Sequence, residues 1–105
     1  MPDVDDYRAR EAARSWDAHV AERQRILNAH DIPPLRDQRA GWLHCRARIV
    51  YERDGEEWID TVAYAWTSRL VLVQRPGHDH RWELIGVWLD ASDVRRRTPA
   101  PDERD

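Results

Sequence analysis

The chain has 105 residues, of which 41% are hydrophobic and 35% charged, and its formal net charge is −3. This length supports one hydrophobic core and excludes two independently folding domains. All 17 basic residues are arginine, a bias that indicates a GC-rich bacterial genome rather than phosphate binding. The single cysteine excludes an internal disulfide, while the acidic start and the absence of a long apolar run predict a cytoplasmic protein with no signal peptide or membrane span.

The first quarter of the chain predicts one long helix over residues 3–29. Acidic residues suit its N-terminal end, and Asn28 followed by two prolines supplies the stop. Its apolar residues fall at helical spacing in a narrow stripe: Ala9, Ala13, Trp16, Val20 and Leu27. Such a stripe favours packing on one surface. Residues 30–41 then form a polar connection, and residues 98–105 are predicted to be a disordered tail.

The stretch 42–97 predicts an antiparallel meander. Asp54-Gly55, flanked by alternating apolar residues, is typical of a two-residue type I′ turn. Closing the hairpin there opposes Tyr51 to Trp58 and puts alternate residues on one apolar face. That face holds Leu43, Cys45, Ala47, Ile49, Tyr51, Trp58, Asp60, Val62, Tyr64 and Trp66. If Thr67-Ser68 is the next tight turn, Asp60 opposes Arg75 and is neutralised there.

The last two long strands of the meander leave an apolar surface to be covered. A four-residue connection at 76–79 would set Val73 against Trp82, and the reverse face would then present Leu70, Leu72, Ile85 and Val87. A face this apolar needs a cover. The N-terminal helix is the expected cover, and a second copy in a homodimer is the alternative. The predicted fold class is therefore α+β: a long N-terminal helix packed on a small antiparallel barrel of four to five strands.

Residues 86–97 predict a strand, one turn of 3₁₀ helix and a final short strand. This order resembles the end of SH3-like and Tudor-like small barrels, in which such a turn precedes the closing strand. The resemblance spans about half of the chain and rests on element order. It implies a small barrel that often has a binding role, and it transfers no ligand residue to this sequence.

A row of cationic side chains is the most ligand-like feature of the meander. His44, Arg46 and Arg48 lie opposite small residues, which leaves a shallow trough for a phosphate backbone or an acidic strand. Arg95, Arg96 and Arg97 extend this surface if the closing strand lies on the same side. The alternative is an ordinary solvated strand face. Residues 42–97 contain nine arginines and nine acids, and this balance argues against a nucleic-acid binder.

Other candidate sites have structural alternatives. His78 and His80 are weak candidate metal ligands, because only His44 offers a third donor, and a polar turn after Pro76-Gly77 is the favoured explanation. No metal and no cofactor are predicted. Asp60 is the one carboxylate expected to point inward, which makes it a candidate catalytic group or half of an ion pair with Arg75. Cys45 is interpreted as a packed small residue rather than a reactive thiol.

These patterns predict a small non-enzymatic binding module, with a regulatory role in a mobile genetic element. Its expected partner is a protein of unknown identity, bound through an exposed apolar or aromatic patch around Trp42 or on the uncovered face of the sheet. One alternative is a nucleic-acid-binding accessory protein that uses the arginines named above, and another is a small metal-dependent enzyme. The protein is expected to be a monomer or a homodimer without membrane contact.

Overall fold

A computed structural model describes residues 22–99, which form one antiparallel sheet of six strands. The strands are β1 (Ala29–His30), β2 (Arg39–Tyr51), β3 (Gly55–Trp66), β4 (Leu70–Gln74), β5 (Gly86–Asp90) and β6 (Val94–Arg96). Two 3₁₀ turns, Leu35–Asp37 and Ala91–Asp93, precede β2 and β6. The order across the sheet is β1-β5-β4-β3-β2-β6. No helix within residues 22–99 is long and apolar enough to span a membrane.

The predicted α+β fold class is wrong, because the sheet with its two 3₁₀ turns accounts for all the named elements of residues 22–99. The predicted helix over 3–29 fails at its C-terminal end, while its residues 3–21 lie outside the described part of the chain. The amide of Gln24 donates to the Arg81 carbonyl at 2.8 Å, and that of Leu27 donates to the Val50 carbonyl at 2.7 Å. These amides bond to a distant loop and to β2, and tertiary hydrogen bonding therefore overrides helix propensity here.

Residues 24–30 instead close the sheet. Ile26 forms an isolated antiparallel bridge with Tyr51 of β2, while Ala29 in β1 pairs with Leu89 of β5. The side chain of Asn28 adds two bonds to β2: its Nδ2 donates to the Arg48 carbonyl at 2.8 Å, and its Oδ1 accepts from the Val50 amide at 3.0 Å. The segment thus joins β5 to β2, and the sheet becomes a small barrel.

The β2–β3 hairpin closes three residues away from the predicted register. Tyr51 opposes Gly55 rather than Trp58, since the turn contains three residues, 52–54, and Gly55 takes the left-handed conformation with φ of 76°. Gln24 holds this turn, because its Oε1 accepts from the amides of Arg53 and Asp54, each at 3.1 Å. A shift by an odd number of residues exchanges the two faces of β3.

The core therefore combines the predicted face of β2 with the unpredicted face of β3. The buried cluster contains Cys45, Ala47, Ile49, Tyr51, Ala63, Val73, Trp82 and Leu89. The inward orientation of Cys45, Ala47, Ile49 and Tyr51 confirms the prediction for β2. Asp60, predicted to face the core, is exposed instead, and Ile59 beside it packs on the cluster.

The connection between β4 and β5 is longer than predicted. It spans residues 75–85 rather than four residues, and Val73 consequently opposes Val87 instead of Trp82. Ile85, predicted to need a cover, is 74% exposed in this loop. The final order of strand, 3₁₀ turn and strand is confirmed: Asp90 caps the turn by accepting from the Ser92 amide at 2.9 Å, and β6 follows directly. Membership of an SH3-like superfamily stays a prediction.

Candidate functional site

The closing strand brings the predicted arginines together. β6 pairs with β2 so that Arg95 lies opposite Arg46, and Arg96 opposite Cys45. Because directly opposed residues share a face, Arg95 joins Arg46 and Arg48 on the outer face of the sheet. Arg96 falls on the other face, where it is exposed. We call Arg46, Arg48, Arg95 and Arg97 the arginine face.

Carboxylates interleave with the arginine face. Arg46 Nε lies 3.3 Å from Asp60 Oδ1, and Arg97 Nε lies 3.7 Å from the same oxygen. Arg48 reaches two acids, with Nε 3.0 Å from Glu56 Oε1 and Nη1 3.1 Å from Asp93 Oδ1. The pairs of Arg46 and Arg97 exist because the register shift turns Asp60 outward. They neutralise much of the charge that the sequence placed on this surface.

The small residues expected to floor the trough are not part of this surface. Thr61, Ala63 and Ala65 are all less than 9% exposed, because the shifted register points them inward. The Thr61 hydroxyl donates to the Gln74 carbonyl. Trp58 takes their place on the outer face, and the Arg95 guanidinium lies over its ring, 4.7 Å from the centroid. The outer face therefore carries a protruding aromatic ring where the sequence predicted a shallow trough lined by small side chains.

An open groove lies beside the arginine face, at the bulge in β2. The pairing of β2 with β3 is irregular between Ala40 and Leu43, and Trp42 emerges from this bulge with 53% of its surface exposed. The groove has a volume of about 320 Å³, and its lining includes Trp42, His44, Asp60, Arg75 and Arg97. Three predicted site residues, Trp42, His44 and Arg97, thus meet at one place, which we call the Trp42 groove.

The two weak metal candidates lie in the 75–85 loop. His78 and His80 line a cleft of about 570 Å³ together with Asp54, Asp79 and Arg81. Within residues 22–99 no three histidine, cysteine or acidic side chains are grouped so as to hold a metal ion. His44 lines the Trp42 groove rather than this cleft. The structure therefore does not assemble the predicted third donor with the two histidines.

The structure places Asp60 on the surface and Cys45 in the core. Asp60 is paired with arginines on the surface, so the predicted inward ion pair with Arg75 is wrong. Cys45 is 2% exposed. Burial raises the pKa of its thiol, and this exceeds the opposite effect of nearby Arg97. Its packing is that of a small core residue, as predicted, and a protonated thiol is a poor nucleophile.

An ionic cluster that sequence reasoning missed holds the 75–85 loop on the barrel. Arg81 binds Asp79 through Nε at 2.9 Å and Nη2 at 2.8 Å, binds Glu57 with two further bonds, and reaches Asp54 Oδ2 at 3.0 Å. Its guanidinium also lies over the Tyr51 ring, 3.8 Å from the centroid. The carboxylates raise the pKa of Arg81, so this group is a permanent cation.

Tyr51 connects this cluster to the core. Its hydroxyl donates to Asp79 Oδ2 at 2.9 Å and accepts from Trp82 Nε1 at 2.8 Å. Burial is the main reason why the pKa of Tyr51 is raised. Because every member bonds to another, we interpret the cluster as a structural lock. The Asp79-His80-Arg81 run beside Trp82 is the sequence signal for this cluster, although the two histidines of the same loop also fit a metal interpretation.

An open cavity was also missed. It has a volume of about 930 Å³ and lies at the end of the barrel where β2 begins and β3 turns into β4. Arg36, Arg39 and Arg69 line it together with Trp66 and Thr67. No sequence motif marks it, because Arg69 is far in sequence from Arg36 and Arg39 and only the fold brings the three arginines together.

Comparison with known proteins offers no relative: no family, no curated protein and no solved structure matches this chain.

Proposed function

We propose that this chain is a non-catalytic binding module whose ligand is an extended acidic segment of a partner protein. The observation that carries the proposal is the convergence of Trp42, His44 and Arg97 on one open groove. An acidic ligand that lies along β6 would end in this groove, because Arg97 directly follows the last residue of the strand.

The exposed tryptophan supports a binding role. Trp42 projects from a bulge with about half of its surface in water. Exposing a large aromatic ring costs free energy that burial against a partner recovers at about 25 cal/mol per Å². Tryptophan is also enriched among the residues that dominate binding energy at protein interfaces. The bulge therefore presents a suitable anchor for an apolar side chain of the ligand.

The charge around the groove supports an acidic ligand. Arg75 and Arg97 line its wall against one carboxylate, that of Asp60. Arg46 lies next to this carboxylate and shares it with Arg97. A ligand carboxylate would therefore meet an excess of guanidinium groups, which hold carboxylates in bidentate geometry.

The edge of the barrel supports an extended ligand. β6 occupies one end of the strand order, and β2 is the strand that pairs with it in the described part of the chain. An extended segment that adds to such an edge gains main-chain hydrogen bonds, while its side chains supply specificity. Arg95 and Arg96 point to opposite faces of this edge, so acidic residues on either face of the ligand strand find a cation.

A displayed library of random linear peptides tests this proposal. Peptides that contain acidic residues and at least one apolar residue should be enriched. A synthetic copy of an enriched peptide should bind Trp42→Ala about tenfold or more weakly, since interface tryptophans contribute about 2 kcal/mol or more. Leu84→Ala is the matched control, because Leu84 is 67% exposed in a different loop. Selection without acidic enrichment, or equal binding by both variants, contradicts the proposal.

Single-stranded nucleic acid is the second candidate ligand. The alignment of Arg46 with Arg95, beside the Trp58 ring, favours it, because cations and aromatic rings together bind backbone and bases. The interleaved carboxylates of Asp60 and Glu56 oppose it. A labelled oligothymidylate should then bind with an affinity that falls steeply as salt rises. No retention on a DNA column at low salt would exclude this candidate.

A regulatory role in a mobile genetic element also stays a proposal. The genes that neighbour this one are its test. A partner gene whose product carries an acidic, extended segment would match the groove, and housekeeping neighbours would argue against the role.

A further inference from the structure

The cavity at the end of the barrel where β3 turns into β4 has three arginines in its wall. The 3₁₀ turn Leu35–Asp37 supplies Arg36, the start of β2 supplies Arg39, and the turn between β3 and β4 supplies Arg69. Arg39 is the β2 partner of Trp66, which also lines the cavity. We call Arg36, Arg39 and Arg69 the arginine triad.

Hydrogen bonds hold these walls in place. The Thr67 hydroxyl accepts from the amides of Arg69 at 3.2 Å and Leu70 at 3.0 Å, and the Arg69 carbonyl accepts from the Ala91 amide at 2.8 Å. On the opposite wall, Gln38 Nε2 donates to the Pro33 carbonyl at 2.8 Å. The backbone that carries the triad is thus positioned before any ligand arrives, which lowers the entropic cost of binding.

The side chains of the triad differ from those of the arginine face. Within residues 22–99, none of the three guanidinium groups makes an ion pair or a hydrogen bond, whereas Arg46, Arg48 and Arg97 all contact carboxylates. Like charges that share one concavity repel each other, and an anion placed between them removes this repulsion. The guanidinium fork matches the geometry of phosphate oxygens.

Two carboxylates and one aromatic residue refine the ligand class. Asp37 and Asp90 also line the cavity. Hydrogen bonds from Ser92 hold the pKa of Asp90 below its usual range, so this carboxylate is an acceptor at neutral pH. Such acceptors suit the hydroxyl groups of a sugar and repel a bare polyanion. Trp66 and Pro33 add apolar surface.

We propose that this cavity is a binding site for a phosphorylated small molecule with sugar hydroxyls and a planar ring, the chemistry of a nucleotide. The arginine triad binds the phosphates, the two carboxylates accept from hydroxyl groups, and the ring lies against the apolar wall. The volume of about 930 Å³ lies within the range of small-molecule sites, about 300–1,000 Å³. This site is separate from the Trp42 groove, since the two share no lining residue.

Isothermal titration calorimetry of the full chain tests the proposal with ATP, ribose 5-phosphate, inorganic phosphate and adenosine. ATP should bind most tightly, and adenosine, which lacks phosphate, should not bind. Arg39→Gln and Arg69→Gln should each weaken ATP binding about tenfold or more, because a hydrogen bond between charged groups contributes about 1.5–3 kcal/mol.

Arg25→Gln is the matched control, because Arg25 is exposed and lines neither this cavity nor the Trp42 groove. It should bind ATP as the unaltered protein does. Absence of ATP binding overturns the proposal, as does equal weakening by all three variants, which would indicate non-specific attraction of anions. Inorganic phosphate that binds as tightly as ATP overturns the ligand class. Because the triad is exposed, urea midpoints close to that of the unaltered protein should verify folding.

Discussion

Replacing Arg81 by methionine should destabilise the barrel more than any other single loss of an arginine from residues 22–99. Methionine keeps an apolar stem against the Tyr51 ring but removes the cation that three carboxylates share. Asp79, Glu57 and Asp54 would then repel one another, and the 75–85 loop would lose its attachment to the turn at residues 52–54.

The exposure of each carboxylate determines the size of this effect. The Asp79 side chain is only 11% exposed, so the loss of its charge-assisted bonds should cost about 1.5–3 kcal/mol. Glu57 and Asp54 are 39% and 45% exposed, and solvent screening limits each of their pairs to about 0–1 kcal/mol. The free energy of unfolding should therefore fall by about 2–4 kcal/mol in Arg81→Met.

Urea denaturation followed by tryptophan fluorescence measures this loss. With a slope of about 1–2 kcal/mol per molar urea for a small domain, the midpoint should fall by about 2 M. Arg46→Met is the matched control: its pair with Asp60 is 56% and 59% exposed, so its midpoint should move little. Arg81→Lys keeps the charge without the planar fork and should fall between the two. Equal shifts for Arg81→Met and Arg46→Met would refute the reasoning.

Three further predictions concern the core, the thiol and acid stability. Gly41→Ala should lower the free energy of unfolding by about 1–3 kcal/mol, because its new Cβ would overlap the Trp66 ring. Gly77→Ala is the control: its new Cβ meets no atom within 4 Å, so the variant should unfold at the same urea concentration as the unaltered protein. Cys45 should react with a thiol reagent in urea but only slowly in the native state, and fast native labelling would show that its burial is wrong. Burial raises the pKa of Asp79, but hydrogen bonds from Arg81 and Tyr51 lower it by a larger amount, so the pKa lies below the usual 3.8. Because the pKa of Asp79 is lower in the folded than in the unfolded state, its carboxylate stabilises the fold at any pH above the unfolded-state pKa. This stabilisation is lost as the pH falls below about 4, so Asp79→Asn should flatten the curve of unfolding free energy against pH in that range.

The alternation of β2 could be predicted from the sequence because it depends on local chemistry alone. Cys45, Ala47, Ile49 and Tyr51 repeat every second residue, and a strand puts such residues on one face whatever its partner. The same holds for the end of the barrel, where Asp90 caps a 3₁₀ turn through a residue two positions away. Local patterns of this kind predict the structure correctly, because distant segments do not alter them.

The register of the first hairpin could not be predicted, since a distant residue decides it. Asp54-Gly55 is compatible with a two-residue turn, but Gln24 accepts from two turn amides and stabilises a three-residue loop. That odd shift turned Asp60 outward and the supposed trough inward. The sequence pattern assigns the arginines to the correct strand but assigns Asp60, which pairs with Arg46 and Arg97, to the wrong face.

The strand at residues 29–30 could not be predicted from the sequence for a related reason. In isolation Leu27 is the last residue of a helical stripe and Asn28 its stop, and only the exposed edges of β2 and β5 make the extended conformation more favourable. The 75–85 loop could not be predicted either, because Arg81 pairs with Asp54 and Glu57, which are far from it in sequence. Both features depend on contacts across the barrel that no window of the sequence contains.

Barrel closure by residues 24–30 also has a consequence for synthesis on the ribosome. Ala29 emerges early, but its partner Leu89 lies sixty positions later, and β2 must likewise wait for β6. Contacts between such remote positions slow folding, because a long loop must be ordered before they form. The nascent chain therefore exposes the inner sides of β2 and β3 until β5 and β6 have been translated, and such exposed apolar segments are targets of chaperones.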